Sequence, residues 1–170
     1  MSPKTNKNLE IKKIQAFFFD FDGVLTNNKV ILNEDGTESV VCDRSDGLGF
    51  KYLSNINKNI YIISTEKNKV VSTRAKKLNV KCYQGIIDKL DFLKKLCKKK
   101  KINLNKSVYV GNDLNDYEAM KDCKIRICPK DSHKEIISIA NYVLKKNGGE
   151  GVVVEIIEKV FNEKILKKLY

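Results

Sequence analysis

An apolar run that stops at acidic residues constrains the fold of this chain more than any other feature. Residues 17–23 read FFFDFDG, so that three aromatics lead into Asp20 and Asp22, one residue apart. Such a run predicts a buried parallel strand that ends at a functional site, because ligands in open α/β sheets bind beyond the carboxyl ends of strands. Strand alternation points both carboxylates to one side before the chain turns at Gly23. The alternative is a plain strand followed by an Asp-Gly turn.

Two carboxylates at this spacing also indicate a chemistry. Close carboxylates repel each other unless a cation lies between them, and Mg²⁺ prefers hard oxygen ligands. The pair offers a carboxylate nucleophile beside a carboxyl acid or base. Asp20 and Asp22 are therefore candidate catalytic residues and candidate ligands of Mg²⁺.

The length and the polar start of the chain predict its domain organisation. A chain of 170 residues suits one domain with a real core. Its apolar runs fall short of the roughly 18 residues that a membrane span needs. We expect a loose tail over residues 1–10 that is no secretory signal, and one domain over 11–162. A helical extension is expected over 163–170, with residues 164–170 continuing the last helix.

The net charge indicates which partners the protein could bind, and the cysteines indicate its redox environment. The net charge of +12 would suit nucleic acid, an acidic surface or a small anionic substrate. The lysines are spread through the chain, however, which favours a solvated surface. The five cysteines form an odd set without a CxxC pair, a pattern typical of reduced, mostly buried thiols in a cytoplasmic protein.

Strands and helices alternate along the chain, and the alternation predicts an α/β fold whose parallel sheet is covered on both faces. A hairpin is predicted from 30–32 and 38–41, around an Asn-, Asp- and Gly-containing turn. The other predicted strands are 16–21, 60–64, 80–83, 107–110, 125–128 and 142–144, and the predicted helices are Asp46–Asn55, Lys69–Leu78, 88–100, 115–121, 132–140 and 152–161.

Polar side chains follow the ends of four predicted strands. Carboxylates, a hydroxyl and a lysine in these places indicate phosphoryl transfer. Mg²⁺ and Lys neutralise phosphoryl oxygens, a hydroxyl donates to one of them, and a carboxylate attacks phosphorus. The residues are Asp20 and Asp22, Ser64 and Thr65, Lys89, and the group of Asn112, Asp113 and Asp116.

The order DxDGxxT, apolar strand plus Ser, Lys, then GNDxxD resembles the haloacid-dehalogenase superfamily of phosphatases over residues 15–151. The resemblance implies a Rossmann-like three-layer sandwich with a mostly parallel central sheet and a small hairpin insertion after strand one. It implies that Asp20 is the nucleophile that forms an aspartyl-phosphate. Asp22 would protonate the leaving alcohol and then activate water, while its backbone carbonyl binds Mg²⁺. Ser64 and Lys89 would hold the phosphoryl group.

One position departs from this pattern. Superfamily members usually carry Asp directly after the glycine of the fourth motif, as a Mg²⁺ ligand, whereas this chain has Asn112. Either the Asn112 carbonyl binds the metal with lower affinity, or the loop shifts and Asp113 takes over, or activity is weakened or lost. We expect Asn112 to be the ligand, with Asp113 and Asp116 in supporting roles. Thr26 would support the loop after the nucleophile or simply stabilise its turn.

The gaps between motifs hold no cap domain, which implies a macromolecular substrate or a lid from a neighbouring subunit. Segments 43–47, 83–85 and 148–151 resemble the capless phosphatases of 3-deoxy-2-keto sugar acids, which act on KDO 8-phosphate or on nonulosonate (sialic-type) 9-phosphates. That group forms tetramers, so residues 30–41 would build a homotetramer core. An ordinary loop is the alternative for the proposed lid of Gly148, Gly149, Glu150 and Gly151.

The choice of substrate depends on residues near the second strand. Glu66 stands where KDO 8-phosphate phosphatases resembling this chain carry Arg, which slightly favours a nonulosonate 9-phosphate. Arg74 and Lys77 share one helix face and would meet a sugar carboxylate, unless they are only a surface ion-pair set. The candidate substrate contacts are Asp46, Gly47, Thr65, Glu66, Arg74 and Lys77.

Two other functions stay open at this point. One is a capless polynucleotide or protein phosphatase, and the other is a non-catalytic tetramerisation domain related to those of sialic-acid cytidylyltransferases. The joint presence of Asp20, Asp22, Ser64 and Lys89 favours the enzyme. We expect a small phosphorylated sugar acid as partner, and neither membrane nor nucleic acid. His133 is expected at a helix start, without a chemical role.

Overall fold

The computed structural model describes residues 9–56 and 58–169. Six strands form a parallel sheet in the order β5-β4-β1-β6-β7-β8, and two form a separate hairpin, β2-β3. The strands are β1 (Ala16–Phe19), β2 (Thr26–Leu32), β3 (Glu38–Cys42), β4 (Asn59–Ile63), β5 (Lys81–Tyr83), β6 (Ser107–Val110), β7 (Ile125–Cys128) and β8 (Tyr142–Val143). The helices are α1 (Asp46–Asn55), α2 (Lys69–Leu78), α3 (Lys89–Lys100), α4 (Tyr117–Asp122), α5 (Lys134–Ile139), α6 (Val152–Glu155) and α7 (Leu166–Leu169).

Strand β1 lies in the middle of the sheet because its side chains are apolar on both faces. Phe17 and Phe19 belong to the core cluster under α1, α2 and α6, whereas Phe18 belongs to the cluster under α3, α4 and α5. This alternation follows from the two-residue period of a strand. Burying one such side chain stabilises the fold by roughly 1.5–3 kcal/mol. The predicted three-layer α/β sandwich with a hairpin after strand one is confirmed, and the described residues include no cap domain.

The strand register brings the predicted site together. Phe19 of β1 pairs with Ile62 of β4 on one side and with Val110 of β6 on the other. Because all three strands run in the same direction, their carboxyl ends meet at one edge of the sheet. Asp20, Ser64 and Asn112 each lie just beyond that edge.

Strand β1 ends two residues earlier than predicted, so that Asp20 and Asp22 both follow the strand. The strand ends at Phe19, and the backbone N–H groups of Val24, Leu25 and Thr26 all donate to Phe21 O at 2.8–3.3 Å. The hairpin strand β2 also begins earlier than predicted, at Thr26. Its register with β3 shifts between Thr26 and Val30.

Two predicted helices are broken into different helix types. The predicted helix 115–121 consists of a 3₁₀ turn, Leu114–Asp116, followed by α4. The predicted helix 152–161 consists of α6 and a π-helical turn, Ile156–Val160.

Residues 164–170 were expected to continue the last helix. For residues 164–169 this was wrong, and Tyr170 lies outside the described residues. Asn162 has a φ of 53°, a left-handed conformation that ends helices. The chain then turns so that Ile165 joins the core, and α7 packs on α1 as a separate helix. Asn55 Nδ2 donates to Lys168 O at 2.7 Å across this contact.

At the other end, residues 1–8 of the predicted tail lie outside the described residues. Leu9 packs against the core, and Ile11–Lys13 forms a 3₁₀ turn that the sequence did not indicate.

Among the described residues, no helix combines the length and apolar character needed to cross a bilayer. All five cysteines are free thiols, in agreement with the expected reduced state.

Candidate active site

A buried lysine joins the candidate nucleophile to a second carboxylate. Lys89 Nζ lies 2.8 Å from Asp20 Oδ1 and 2.7 Å from Asp116 Oδ1, and all three side chains are buried. Burial, followed by repulsion from Asp116, raises the pKa of Asp20 to about 8 although Lys89 opposes the shift. The ionised form of Asp20 is therefore costly here, and a bound cation would favour it.

The carboxylate of Asp116 holds the fourth motif together. Its Oδ1 accepts from Lys89 and from the Tyr109 hydroxyl at 3.1 Å. Its Oδ2 accepts from the backbone N–H groups of Asn112 at 3.0 Å and of Asp113 at 3.4 Å. Since both oxygens are occupied by protein donors, the structure favours a supporting role for Asp116 over direct metal binding.

The amide oxygen of Asn112 differs from its neighbours in having no protein donor. Asn112 is only 6% exposed, and its Oδ1 is buried without a hydrogen-bond partner in the described part of the chain. The side chain packs against Gly23, where a Cβ would lie 1.9 Å from Asn112 Nδ2. Asp113, by contrast, is exposed, and its Oδ1 accepts from Leu114 N at 2.7 Å. The geometry thus favours Asn112 over Asp113 as a ligand for a hard cation.

These donors fit a divalent cation of the Mg²⁺ type. They would be the Asp20 carboxylate, the Asn112 amide oxygen and, by the resemblance above, the Asp22 backbone carbonyl, which are all hard oxygens. Within 9–56 and 58–169, no three side chains of His, Cys, Asp or Glu gather as a metal site. The donor set agrees with this, because only one of its three members is a side-chain carboxylate.

The turn after β1 orients the candidate acid. Thr26 is buried; its hydroxyl donates to Asp22 Oδ1 at 3.3 Å and accepts from Gly23 N at 3.1 Å. The same two hydrogen bonds stabilise the turn and support the loop after the nucleophile, so the two roles considered for Thr26 do not exclude each other. Burial raises the pKa of Asp22 in spite of the bond from Thr26. A raised pKa favours the protonated carboxyl, which is the form that can protonate a leaving group.

Ser64 lies at the same edge, directly after β4. It is buried, and its hydroxyl oxygen accepts from Glu66 N at 3.0 Å. Thr65 is exposed, and its hydroxyl accepts from Asn115 Nδ2 at 3.3 Å. Glu66 turns back on its own loop, because its Oε1 accepts from Asn68 N at 2.9 Å. Ser64 therefore borders the Asp20 site, while Thr65 and Glu66 form its outer rim.

A groove of about 620 Å³ opens between the hairpin and α2. Arg74 Nη2 donates to Asp43 O at 2.7 Å, while Arg74 Nε is buried and lacks a partner among the described atoms. Cys42 also lines the groove and pairs across the hairpin with Thr26, so the groove borders the Asp22 turn. Its lining includes three cations and a glycine, namely Arg44, Arg74, Lys77 and Gly47.

Asp46 has a different position from the one expected for a substrate contact. It is 1% exposed, and its Oδ1 accepts from Val153 N at 2.8 Å, which joins α1 to α6. Burial raises the pKa of Asp46 to about 7. Gly47 lines the groove, whereas Asp46 lies behind it.

The predicted lid residues contact the active-site loop of their own chain. Gly148 and Gly149 lie against the turn after β1, and Gly149 N donates to Val24 O at 3.0 Å. Glu150 is exposed, and Gly151, with a φ of 85°, precedes α6. A role of this segment in a neighbouring subunit stays a prediction.

Several site residues were not identified from the sequence. Tyr109 lies in an apolar strand, where its contact with Asp116 leaves no trace in the pattern. Asn68 caps α2 and also donates from Nδ2 to Glu38 Oε2 at 3.0 Å, which links the hairpin to the loop after β4. Its capping role could have been predicted, since Asn is favoured directly before a helix.

His133 lies at the start of α5, as expected, and its backbone N–H donates to Asn112 O at 2.8 Å.

The comparison with known families agrees with this geometry. The family described as haloacid dehalogenase-like hydrolase matches residues 5–156. The chain belongs to this family. It is a hydrolase of the haloacid dehalogenase superfamily, as the motif order implied.

Three proteins whose names state an activity are similar to this chain in sequence or in structure. The chain is 30% identical to the 3-deoxy-D-manno-octulosonate 8-phosphate phosphatase KdsC of Salmonella typhi, over 91% of this chain and 82% of the relative. The Moraxella catarrhalis 3-deoxy-D-manno-octulosonate 8-phosphate phosphatase, solved with magnesium, phosphate and KDO, superposes with a TM-score of 0.84 at 33% identity, over 89% of this chain and 87% of that one. The Yersinia pestis phosphatase of the same name superposes with a TM-score of 0.84 at 26% identity, over 93% and 85%. All three of these relatives are named as phosphatases of 3-deoxy-D-manno-octulosonate 8-phosphate, a sugar acid phosphate.

Proposed function

We propose that this chain is a Mg²⁺-dependent phosphomonoesterase that hydrolyses a phosphorylated 3-deoxy-2-keto sugar acid. The observation that carries the proposal is the buried pairing of Asp20 with Lys89, at the sheet edge that also holds Ser64 and the unpartnered oxygen of Asn112. A tetramerisation domain would gain nothing from this pairing, because burying three ionisable groups is costly.

Each residue has a step in the proposed reaction. Asp20 attacks phosphorus to form an aspartyl-phosphate, and Asp22 gives its proton to the leaving alcohol. Asp22 then takes a proton from water, which attacks the aspartyl-phosphate and releases inorganic phosphate. Lys89 and Ser64 hold the phosphoryl oxygens through both steps. A bound Mg²⁺ would neutralise phosphoryl charge in this site.

The cationic groove is the proposed site of the sugar acid. A carboxylate is a strong partner for an arginine, and Arg74 has one buried N–H without a protein acceptor in the described residues. The groove borders the Asp22 turn through Cys42 and Thr26, so one ligand could reach both. The nearby carboxylate of Glu66 would accept bonds from sugar hydroxyls.

Two substrates are compatible with these groups. The relatives are named for 3-deoxy-D-manno-octulosonate 8-phosphate, which supports the eight-carbon acid. We slightly favour a nonulosonate 9-phosphate, because Glu66 stands where an Arg is typical of KDO 8-phosphate phosphatases. Phosphate release with Mg²⁺ from both substrates, with an Asp20→Asn control, tests the proposal. Preference for the nine-carbon substrate supports the role of Glu66, the reverse preference refutes it, and no release from either refutes the sugar-acid function.

A homotetramer is part of this proposal. The hairpin exposes apolar side chains, of which Leu32 is 70% exposed, and such a surface is typical of a contact between subunits. Sedimentation of the full chain tests it, and a monomer would contradict it.

A polynucleotide phosphatase is the second candidate, because of the net charge of +12. The longest run of lysines lies away from the site. The lysine run 98–101 lies at the far end of α3 from Lys89, about 15 Å along the helix. A small substrate therefore suits the site better than a polyanion.

Replacing Asn112 by Asp is expected to lower the Mg²⁺ concentration for half-maximal phosphate release about tenfold, because a carboxylate adds a charge where the amide has none. Titration of activity with Mg²⁺ measures it. Asp113→Asn, at an exposed residue beside it, is the matched control and should change this concentration less. An equal or larger effect of Asp113→Asn would assign the metal ligand to Asp113.

A further inference from the structure

A short backbone segment, residues 146–149, lies directly on the turn that carries Asp22, and we call it the strap. Gly149 N donates to Val24 O at 3.0 Å. A Cβ on Gly148 would lie 2.1 Å from Gly23 O, so the two backbones touch without an intervening side chain. A displacement of the strap would therefore also displace the turn.

The strap is anchored to the loop between β7 and α5. Gly148 N donates to Asp131 Oδ1 at 2.9 Å, and Lys130 N donates to Lys146 O at 3.0 Å. The Ser132 hydroxyl donates to Pro129 O at 2.8 Å and closes the turn of this loop. Asp131 is thus the side chain that reaches from this loop to the centre of the strap.

The same loop is attached to the proposed metal ligand. His133 N donates to Asn112 O at 2.8 Å. The Asn112 side chain in turn packs on Gly23. The contacts therefore form a closed ring that runs from Asn112 through His133 and Asp131 to the strap, and back through the Asp22 turn.

We propose that Asp131 is a positioning residue, which through the strap holds the Asp22 turn against Asn112. The other links between the ring's segments are made by backbone atoms or by packing, among them the bond from Lys130 N to Lys146 O. A substitution at Asp131 therefore removes the one side-chain hydrogen bond that the described residues make between the loop and the centre of the strap, and it removes no group of the reaction. The activity part of this inference rests on the proposed function. Its structural part does not, because the ring is present in the protein without substrate.

Three variants of the full chain separate the possible roles. Asp131→Ala removes the acceptor for Gly148 N, whereas Asp131→Asn keeps an oxygen acceptor at the same place. Glu135→Ala removes an equal charge from the exposed first turn of α5 and is the matched control. Each variant is examined without metal by amide hydrogen exchange of the segments 20–27 and 144–151, and then by titration of phosphate release with Mg²⁺.

In Asp131→Ala we expect exchange to rise about tenfold in both segments, with exchange elsewhere unchanged, because local opening is independent of global unfolding. The Mg²⁺ concentration for half-maximal release should rise about tenfold, as is usual when a residue that supports a metal ligand is lost. Asp131→Asn should restore most of both values, and Glu135→Ala should change neither.

Two results would overturn the proposal. Unchanged exchange in segment 20–27 of Asp131→Ala would show that the strap does not hold the turn. Faster exchange throughout the chain would make Asp131 a general stabilising residue. If no variant or parent releases phosphate from the sugar acids, the proposed function fails, while the exchange measurement still decides whether the ring exists.

Discussion

Replacing Asp20 by Asn is expected to abolish phosphate release while the fold stays intact. The Asn side chain has nearly the shape of Asp, but its amide cannot form the aspartyl-phosphate. Asp20 Oδ1 already accepts from Phe21 N at 2.8 Å and from Lys89, and Asn can keep an oxygen acceptor there. We expect the rate to fall by at least about 10³-fold, the scale seen when a nucleophile is lost. Steady-state release with saturating Mg²⁺ measures it, with near-ultraviolet circular dichroism as the test of folding.

The same substitution is expected to change the pH dependence of stability in the metal-free protein. The folded-state pKa of Asp20 is about 8, against an ordinary value of 3.8, because burial disfavours the anion. A carboxyl whose pKa is raised by folding binds its proton more tightly in the folded state. Its contribution to the free energy of unfolding is therefore present at low pH and declines as pH rises from about 4 to about 8.

Asp20→Asn removes this decline, since the amide does not titrate. In the presence of a chelator, the variant should unfold at higher denaturant concentration than the parent at pH 8.5, and at the same concentration near pH 4. Urea unfolding at the two pH values measures the difference. Lower stability of the variant at pH 8.5 would mean that Lys89 stabilises the ionised Asp20 more than burial destabilises it.

The position of the site could be predicted from the sequence because it depends on strand order alone. An apolar strand with Asp20 at its end lies centrally in a parallel sheet, and its neighbours bring Ser64 and Asn112 to the same edge. Lys89 could be assigned because it begins the helix that follows β5. No knowledge of side-chain contacts was required for these assignments.

A supporting role for Asp116 was expected from the sequence, but the contacts that produce this role could not be predicted in the same way. Asp116 has the spacing of a metal ligand, yet the contacts with Lys89, Tyr109 and two backbone N–H groups occupy both of its oxygens. Such contacts join residues that are far apart in the chain, and neither hydrophobic period nor local propensity encodes them. Asp131 is a second case, since its partner Gly148 lies 17 residues away.

The type of helix could not be predicted from the sequence either. The pattern over 152–161 has the period of a helix, and the chain is helical there, but Ile156–Val160 is wound as a π-helical turn. Helix periods differ too little over five residues to be distinguished by apolar spacing. The break at Asn162 was readable only in retrospect, because Asn tolerates the left-handed conformation but does not require it.

Replacing Lys89 by Met is expected to destabilise the protein as well as inactivate it. The ammonium group is buried between two carboxylates, and its loss leaves Asp20 and Asp116 without a counter-charge. Removing one partner of a buried pair costs about 3–5 kcal/mol, while loss of a group that stabilises the transferring phosphoryl lowers the rate by about 10²–10³-fold. Metal-free urea unfolding and phosphate release measure the two effects.

The loss of stability in Lys89→Met should be larger at pH 8.5 than at pH 5, because burial raises the pKa of Asp20, so that this carboxyl carries its proton in the folded protein at the lower pH and needs no counter-charge there. Lys98→Met, at an exposed position in the last turn of the same helix, is the matched control and should change stability by no more than about 0.5 kcal/mol. A stable Lys89→Met protein at both pH values would show that burial of the ion pair contributes little to folding. Lys89 would then be retained for its action on the phosphoryl group alone, and the lost activity would separate that role from stability.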